Sequence, residues 1–325
     1  MPIPSRYLKF QIPYKKIYEI INLGKYTRVI FHIDLASISR GFYNKQVIEY
    51  EISEYVDSRK LPTYFLIESK QFFNLLYSRF SQYSPMFDIF YDDGVCSQNR
   101  SLYNKYKDRS ADRSKMIYED VDMELFSNIK NYYYEQFAPM FTIPNVSNVT
   151  YLKQYEGDFL PWIMLRNNIW NCNDSNVLNI ILSVDKDLLQ CCQFKNVIQI
   201  FTLFSKTDSG ILFNVYNDEN ALTQLYAKAE RGRLTSKYIP TLLALCGDKA
   251  DKIPGIPKVG EANAYKLIIN YNLPNVLTND FNWPEELFKY KNIVIRNYKL
   301  ISFEEQLNRI PIDQLTNIKN SFNFS

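Results

Sequence analysis

Short apolar runs of strand length alternate along the chain with longer segments that have helical spacing. The pattern predicts helices over 14–24, 62–83 and from about 156, and strands over 28–34, 86–94, the start of 177–192, and 196–204. Alternation of strands and helices is typical of an α/β fold with a mainly parallel, twisted sheet. From about residue 221 the pattern becomes helical and basic. We therefore predict an α/β core over 1–220 and a helical C-terminal domain over 221–325.

Composition narrows the class of protein. The 325 residues are 46% hydrophobic and 22% charged, which is enough for a packed core. The net charge of +3 does not indicate a globally basic surface, so any nucleic-acid contact must be local. Five cysteines without a C-x-x-C pair predict buried thiols of a reducing cytoplasm rather than disulfides or a zinc site. No apolar run reaches the length of a membrane span, and the N-terminus lacks a signal-peptide core.

A single histidine, His32, excludes a His-rich metal site, and any Ser-His-Asp or Cys-His site would have to use it. It lies within the apolar run 29–33, which favours a structural role. The chemistry of an enzyme with this composition falls to carboxylates, lysines or tyrosines.

Carboxylates stand where three predicted strands end. Asp34 ends the first, Asp92 and Asp93 the second, and Asp185 and Asp187 follow the third. Sites in open parallel sheets form beyond the carboxyl ends of strands, so these acids should converge on one crevice. Like charges this close repel unless cations neutralise them, and hard oxygen ligands suit Mg²⁺ or Mn²⁺ rather than zinc.

Each acidic motif also has an ordinary explanation. Asp185-Lys186-Asp187 could be a solvated turn, where Asp is common. Glu156-Gly157-Asp158 opens a helix, where acids meet the helix dipole favourably.

The most specific local pattern is the stretch 247–260, GDKADKIPGIPKVG, between two predicted helices. A glycine-bounded hairpin there exposes backbone N–H groups and a helix N-terminus, which together bind phosphate. Asp248 and Asp251, three residues apart, share one face. An ordinary helix–turn–helix corner is the alternative.

Two basic segments suit the backbone charge and base stacking of nucleic acid. The first interleaves Tyr103 and Tyr106 with the basic residues Arg100, Lys105, Lys107, Arg109, Arg113 and Lys115, and the second holds Lys228, Arg231, Arg233 and Lys237. Either run could be only a solvated face.

Taken together and in this order, the motifs resemble the 5′-nuclease superfamily of flap endonucleases and phage 5′-3′ exonucleases. The resemblance rests on Tyr155-Glu156-x-Asp158, on Ser183-x-Asp185-x-Asp187 and on the hairpin, with HIDLASIS at 32–39, YKDR at 106–109 and the stretch 296–313 adding to it. It implies a PIN-like core that holds two divalent metals, expected to be two Mg²⁺ that Mn²⁺ can replace. It also implies that 99–115 forms a basic arch and that the hairpin belongs to a helix–hairpin–helix element.

The resemblance further assigns roles to residues of this sequence. The implied metal ligands are Asp34, Asp92, Glu156 and Asp158 in the first group, Asp185 and Asp187 between the groups, and Asp248 and Asp251 in the second. Spacing to Lys107 favours Asp92 over Asp93. Lys107 and Arg109 are expected to contact the scissile phosphate, and Tyr106 to stack on a base. The remaining expected nucleic-acid contacts are Arg100, Lys105, Arg113, Gly255, Lys258 and Gly260.

The implied activity is 5′-3′ exonuclease and flap endonuclease cleavage with ribonuclease H activity, removing RNA primers and 5′ flaps during DNA replication. The expected partners are DNA, RNA–DNA hybrid and a single-stranded-DNA-binding replication protein, and the expected state is a monomer. The hairpin departs from the family pattern, with Lys258-Val259-Gly260 in place of Gly-Ile-Gly. A catalytically silent junction-binding replication factor and a ribonuclease acting on single-stranded RNA remain as alternatives.

Overall fold

A computed structural model describes residues 12–35, 37, 61–91, 97–108, 155–202, 213–271, 273 and 283–322. Within these ranges the main element is a 5-stranded sheet. Its strands are β1 (Arg28–Asp34), β2 (Met86–Phe90), β3 (Val177–Leu182), β4 (Val197–Thr202) and β5 (Phe213–Tyr216). The order is β2-β1-β3-β4-β5, with parallel pairing throughout except for the antiparallel edge strand β5. The prediction of a mainly parallel α/β sheet is confirmed.

Helices cover both faces of the sheet, which explains why its central strands are apolar almost throughout. In β1, Phe31 and Ile33 face one layer, where they pack with α1 (Tyr14–Gly24) and α2 (Leu61–Phe80). Ile30 faces the opposite layer, which contains α4 (Leu160–Arg166). A short helix, α3 (Ser97–Leu102), follows β2 along the chain. Successive side chains of β1 point to opposite faces of the sheet, so this strand contributes to the apolar layer on each face.

Short helices make up most of the described chain after β5. They are α5 (Leu222–Leu225), α6 (Ile239–Cys246), α7 (Glu261–Tyr271), α8 (Glu285–Phe288), α9 (Lys291–Ile301), α10 (Phe303–Leu307) and α11 (Ile312–Ser321). Residues of α6, α7 and α9 form a third apolar cluster. Phe303 and Ile318, from α10 and α11, instead pack in the layer that contains α4. The division of the chain near residue 220 stays a prediction.

A two-stranded antiparallel hairpin, β6 (Gly247–Asp248) and β7 (Ile253–Pro254), joins α6 to α7. Gly247 has φ 82°, a left-handed value that favours glycine. At Gly255 a Cβ atom would lie 2.2 Å from the carbonyl of Cys246, so only glycine lets the hairpin return this close to α6. The predicted helix, hairpin and helix are therefore present in this order.

The described cysteines are free thiols, and Cys172, Cys191 and Cys192 are buried. Burial raises the pKa of the Cys172 thiol to about 12, so it stays neutral in the core. Cys96 lies outside the described residues. Among the helices that the structure describes, none is long and apolar enough to cross a bilayer.

His32 lies in β1 and links this strand to both of its neighbours in the sheet, β2 and β3. Its Nδ1 is 2.9 Å from Asp88 Oδ2 in β2, and its Nε2 is 3.1 Å from Asn179 Oδ1 in β3. The Asn179 amide donates to the carbonyl of Cys172 at 2.7 Å, which fixes its orientation and leaves the oxygen facing the ring. His32, Asp88 and Asn179 are fully buried. His32 thus has a structural role, because its two ring nitrogens form hydrogen bonds to neighbouring strands within the core.

We expect Asp88→Ala to lower the free energy of unfolding by about 3 kcal/mol, because it leaves the buried imidazole without its charged partner. Urea denaturation measures the change, and Asp174→Ala, which removes an exposed acid from a turn, is the control. A loss below about 0.5 kcal/mol, the usual size of a surface effect, would contradict this account.

Candidate metal centre

The predicted acids meet at the carboxyl ends of β1 and β3. These strands pair directly, with Ile33 opposite Leu182, so the residues that follow them emerge side by side. Asp34 is the last residue of β1, and Asp187 begins a 3-10 helix (Asp187–Gln193) shortly after β3. We call the space around Asp34, Glu156, Asp158, Asp185, Asp187, Asp248 and Asp251 the acid crevice.

Three carboxylates form the tightest group in the acid crevice. Asp158, Asp185 and Asp187 each offer an oxygen within 4.8 Å of the others. The backbone N–H of Asp187 donates to Asp185 Oδ1 at 2.9 Å, which holds that carboxylate in place. Burial, together with the charges of Asp185 and Asp251, raises the pKa of Asp187 well above its ordinary value. The group can hold one divalent cation, which would relieve this repulsion.

Asp34 is held by two serines beside this group. Ser183 Oγ donates to Asp34 Oδ2 at 2.7 Å and accepts from the backbone N–H of Asp185 at 3.0 Å. The Ser37 hydroxyl also donates to Asp34 Oδ2. Burial raises the pKa of Asp34, and the hydrogen bonds from the two serines oppose that rise. Neither serine was predicted from the sequence to have a role, although Ser183 stands in the Ser-x-Asp-x-Asp motif.

Glu156 contacts the basic segment that follows α3. Its Oε2 accepts from the Tyr106 hydroxyl and from Lys107 Nζ, each at 3.0 Å. Within the described part of the chain, its buried Oε1 has no hydrogen-bond partner. Burial lowers the pKa of Lys107, but the charges of Glu156 and Asp251 outweigh that effect, so its pKa lies well above the ordinary value. Lys107 is therefore an ammonium ion among the acids.

The hairpin brings two more buried carboxylates to the acid crevice. Asp248 Oδ1 accepts from the backbone N–H of Ala250 at 2.8 Å. Asp251 Oδ2 lies 3.6 Å from Lys107 Nζ. Burial, assisted by the charges of Glu156 and Asp248 and opposed by that of Lys107, raises the pKa of Asp251 to about 7. Acids from the sheet and from the hairpin therefore share one electrostatic environment.

The donor set fits a hard divalent cation. Its described members are carboxylates without histidine or cysteine, the combination that Mg²⁺ and Mn²⁺ prefer. Most are buried, where uncompensated charge is expensive. The unpartnered Oε1 of Glu156 is an acceptor that a cation could satisfy.

Outcomes for the predicted residues fall into three classes. The structure brings together Asp34, Glu156, Asp158, Asp185, Asp187, Asp248, Asp251 and Lys107. A second class lies outside this group. It contains the exposed residues Arg100, Lys105 and Lys258, and two glycines: Gly255, where packing leaves no space for a Cβ atom, and Gly260, where a Cβ atom would meet nothing. Asp92, Asp93, Arg109 and Arg113 lie outside the described residues. The assignment of the converging acids as metal ligands stays a prediction.

Tyr106 does not occupy the exposed position expected of a ring that stacks on a base. Its ring is only 2% exposed and packs in the apolar cluster that contains Ile253 and Ile256 of the hairpin. The ring is therefore not accessible to a base in this structure, and its assignment as a nucleic-acid contact stays a prediction. Burial, with the charge of Glu156, raises the pKa of Tyr106 well above its ordinary value, so its hydroxyl remains a donor.

Comparison with known sequences identifies relatives over part of the chain. A 5′-3′ exonuclease of Buchnera aphidicola subsp. Baizongia pistaciae is 31% identical over 144 residues, which is 43% of this chain and 42% of that protein. DNA polymerase I of Streptococcus pneumoniae serotype 4 is 35% identical over 91 residues, 28% of this chain and 9% of the polymerase. The chain therefore spans less than half the length of these curated relatives. No family model matches the chain.

Solved structures share the fold over most of the chain. The D15 flap endonuclease of bacteriophage T5, in a complex with DNA and metal ions, superimposes with a TM-score of 0.61 and 14% identity, covering 91% of this chain and 98% of that one. The T5 5′-exonuclease with bound zinc gives 0.59 and 15%, with the same coverage. Sequence relatives and fold together confirm the resemblance to the 5′-nuclease superfamily.

We expect added Mg²⁺ to raise the thermal unfolding midpoint far more at pH 8 than at pH 5. The raised pKa of Asp251 means that the folded, metal-free protein keeps a proton that the unfolded chain releases near pH 4. The stability of the metal-free protein should therefore fall as the pH rises from about 4 to about 7. A cation binds best once that proton has left, so Mg²⁺ should stabilise the protein more at pH 8 than at pH 5. Differential scanning calorimetry measures both effects.

Asp251→Asn should reduce the pH dependence of the stability of the metal-free protein, because it removes one of the carboxyls whose pKa is raised. An equal shift with Mg²⁺ at pH 5 and pH 8 would contradict this picture of the acid crevice.

Proposed function

We propose that this chain, a relative of the 5′ nucleases, is a metal-dependent hydrolase that cuts phosphodiester bonds at 5′ ends and 5′ flaps and leaves 5′ phosphates. The observation that carries the proposal is the convergence of buried acids from the sheet and from the hairpin on one crevice. Such a donor set suits divalent metals, and a phosphate-binding hairpin beside it suits nucleic acid.

We assign Asp34, Asp92, Glu156 and Asp158 to a first metal, Asp248 and Asp251 to a second, and Asp185 and Asp187 to the space between. Two Mg²⁺ ions, or Mn²⁺ in their place, would supply an activated water and stabilise the leaving 3′ oxygen. Lys107 holds a positive charge beside these acids, where a scissile phosphate would arrive, and Arg109 follows two residues later. Ser183 keeps Asp34 oriented toward the crevice by its hydrogen bond.

The hairpin would grip the duplex beside the cut. A cavity of about 500 Å³ borders it, lined among others by Lys186, Lys249 and Lys258 and by the start of α7. Lysines and helix N-termini suit a phosphate backbone. In this proposal residues 221–325 bind duplex and supply Asp248 and Asp251 to the second metal, and residues 1–220 supply the other acids. The basic segment 99–115, with Arg100, Lys105 and Arg113, guides the 5′ strand.

The proposed substrates are DNA with 5′ ends or flaps and RNA–DNA hybrid, so the enzyme would remove primers and flaps during replication as a monomer. A single-stranded-DNA-binding protein is the proposed partner. A catalytically silent junction binder would not need the acids, yet those that the structure describes converge. A ribonuclease specific for single-stranded RNA would not need the hairpin.

The direct test is a cleavage panel of flapped, nicked, hybrid and single-stranded substrates with and without Mg²⁺. We expect metal-dependent cutting of the first three, and a loss of at least about a thousandfold in Asp185→Asn, because the variant removes a charge from the tightest acid group. Binding of flapped DNA should persist in that variant, as measured by fluorescence anisotropy. Wild-type cutting by Asp185→Asn would contradict the site assignment, and binding without cutting by the wild type would favour the silent factor.

Lys258→Ala should weaken binding of flapped DNA at every sequence and reduce the salt dependence of the binding constant by about one phosphate contact. Lys15→Ala, an exposed lysine on α1, is the matched control. An unchanged salt slope in Lys258→Ala would place the duplex elsewhere.

A further inference from the structure

The turn after α3 reaches into the acid crevice with two adjacent side chains. The backbone N–H of Tyr106 donates to the carbonyl of Tyr103 at 2.9 Å, and Lys107 has φ 48°. The Arg296 guanidinium lies 4.3 Å from the centre of the Tyr103 ring, which fastens the turn to α9. This geometry turns the side chain of Tyr106 inward and buries it.

The hydroxyl of Tyr106 stands between an acid of the core and an acid of the hairpin. It is 3.0 Å from Glu156 Oε2 and 3.4 Å from Asp251 Oδ2. One residue later, the backbone N–H of Lys107 donates to the carbonyl of Asp251 at 2.9 Å. The turn therefore contacts both the side chain and the main chain of the hairpin acid.

These contacts leave one oxygen of Glu156 for another partner. Its Oε2 already accepts from Tyr106 and Lys107, whereas its buried Oε1 has no partner among the described residues. A donor that fixes one carboxylate oxygen determines where the other oxygen points. Tyr106 thereby determines which atom Glu156 presents to the acid crevice.

We propose that Tyr106 is a positioning residue for the metal centre, whose hydroxyl sets the spacing between the Glu156 and Asp251 carboxylates and directs Glu156 Oε1 toward a cation. The inference rests on the proposed function, since it assigns Glu156 to the first metal and Asp251 to the second. Two ions that act on one phosphodiester must lie about 4 Å apart, so a fixed spacing of their ligands matters. The ring serves this role from within the apolar cluster.

Tyr106→Phe tests the hydroxyl while keeping the ring in the apolar cluster. We expect the dissociation constant for Mn²⁺, measured by calorimetry without substrate, to rise by about tenfold or more, the usual effect of losing a hydrogen bond to a ligand. Electron paramagnetic resonance should then show less of the coupled signal of two neighbouring Mn²⁺ ions. The affinity for flapped DNA, measured in Ca²⁺, should change less than about twofold, because the hydroxyl faces acids rather than the solvent.

Tyr155→Phe is the matched control. Tyr155 is buried and directly precedes Glu156 in the sequence. Its hydroxyl donates to Gln314 Oε1 at 2.8 Å and not to a carboxylate of the acid crevice. Tyr155→Phe removes one part-buried hydrogen bond from a tyrosine hydroxyl and should leave the Mn²⁺ affinity within about twofold of the wild type. A Mn²⁺ effect confined to Tyr106→Phe supports positioning, and equal losses in both variants would overturn it.

A double-mutant cycle with Glu156→Gln tests the route of the effect. If Tyr106 acts through Glu156, then Tyr106→Phe should add less than about twofold to the loss already caused by Glu156→Gln. Fully additive losses would overturn the inference.

Three further outcomes distinguish a failure of this inference from a failure of the proposed function. If Asp185→Asn abolishes Mn²⁺ binding but Tyr106→Phe binds Mn²⁺ like the wild type, the metal centre stands and the positioning role falls. Weak DNA binding by Tyr106→Leu together with wild-type behaviour of Tyr106→Phe would point to base stacking and would also overturn it. Wild-type Mn²⁺ binding by Asp185→Asn would remove the metal centre and the inference together.

Discussion

Mutual repulsion among buried carboxylates is the constraint on which the rest of this structure depends. Glu156, Asp158 and Asp251 are each less than a tenth exposed and lie in one crevice, where the interior screens their charges poorly. Fixed donors hold these and the neighbouring acids apart: the hydroxyls of Tyr106, Ser37 and Ser183, the ammonium of Lys107, and the backbone N–H groups of Asp187 and Ala250. A loose scaffold would let the acids turn to solvent.

The scaffold that holds the acids is fixed by two attachments, which lie far apart in the sequence. The first is the pairing of β1 with β3, whose faces are both covered, so the strand ends cannot separate without opening the core. The second is Asn297 of α9, fully buried, whose amide donates to the carbonyls of Ala244 at 3.1 Å and Pro254 at 2.7 Å. This amide ties α6, which leads into the hairpin, and the end of β7 to α9. The contact helps to hold the hairpin and its acids in place.

Much of this arrangement was predictable from the sequence because it depends on local patterns. The apolar run before Asp34 and the one before Asp185 predicted strands that end in acids, and the glycines of 247–260 predicted a hairpin between two helices. The antiparallel strand β5 was not predicted, since its 4 residues carry too short a pattern. The burial of Tyr106 was not predictable either, because an aromatic residue in a basic segment is equally compatible with exposure. Only tertiary packing against the hairpin decides it.

The charge balance of the acid crevice bears on the proposed function, because a crevice that gathers acids would also have to receive a polyanion. Among the described residues, seven carboxylates converge there and Lys107 is the ammonium beside them. One ammonium offsets one of those charges, and the raised pKa values of Asp187 and Asp251 favour bound protons that would offset part of the rest when no metal is present. Two divalent cations would carry four positive charges, so the potential that meets an arriving phosphate depends on metal loading. In the proposed function, the exposed lysines beside the hairpin, including Lys249 and Lys258, would act on the duplex outside this balance and would need no metal. Binding and cutting would then be separable, because permanent charges beside the hairpin would hold nucleic acid, whereas the acid crevice would accept it only when cations are bound.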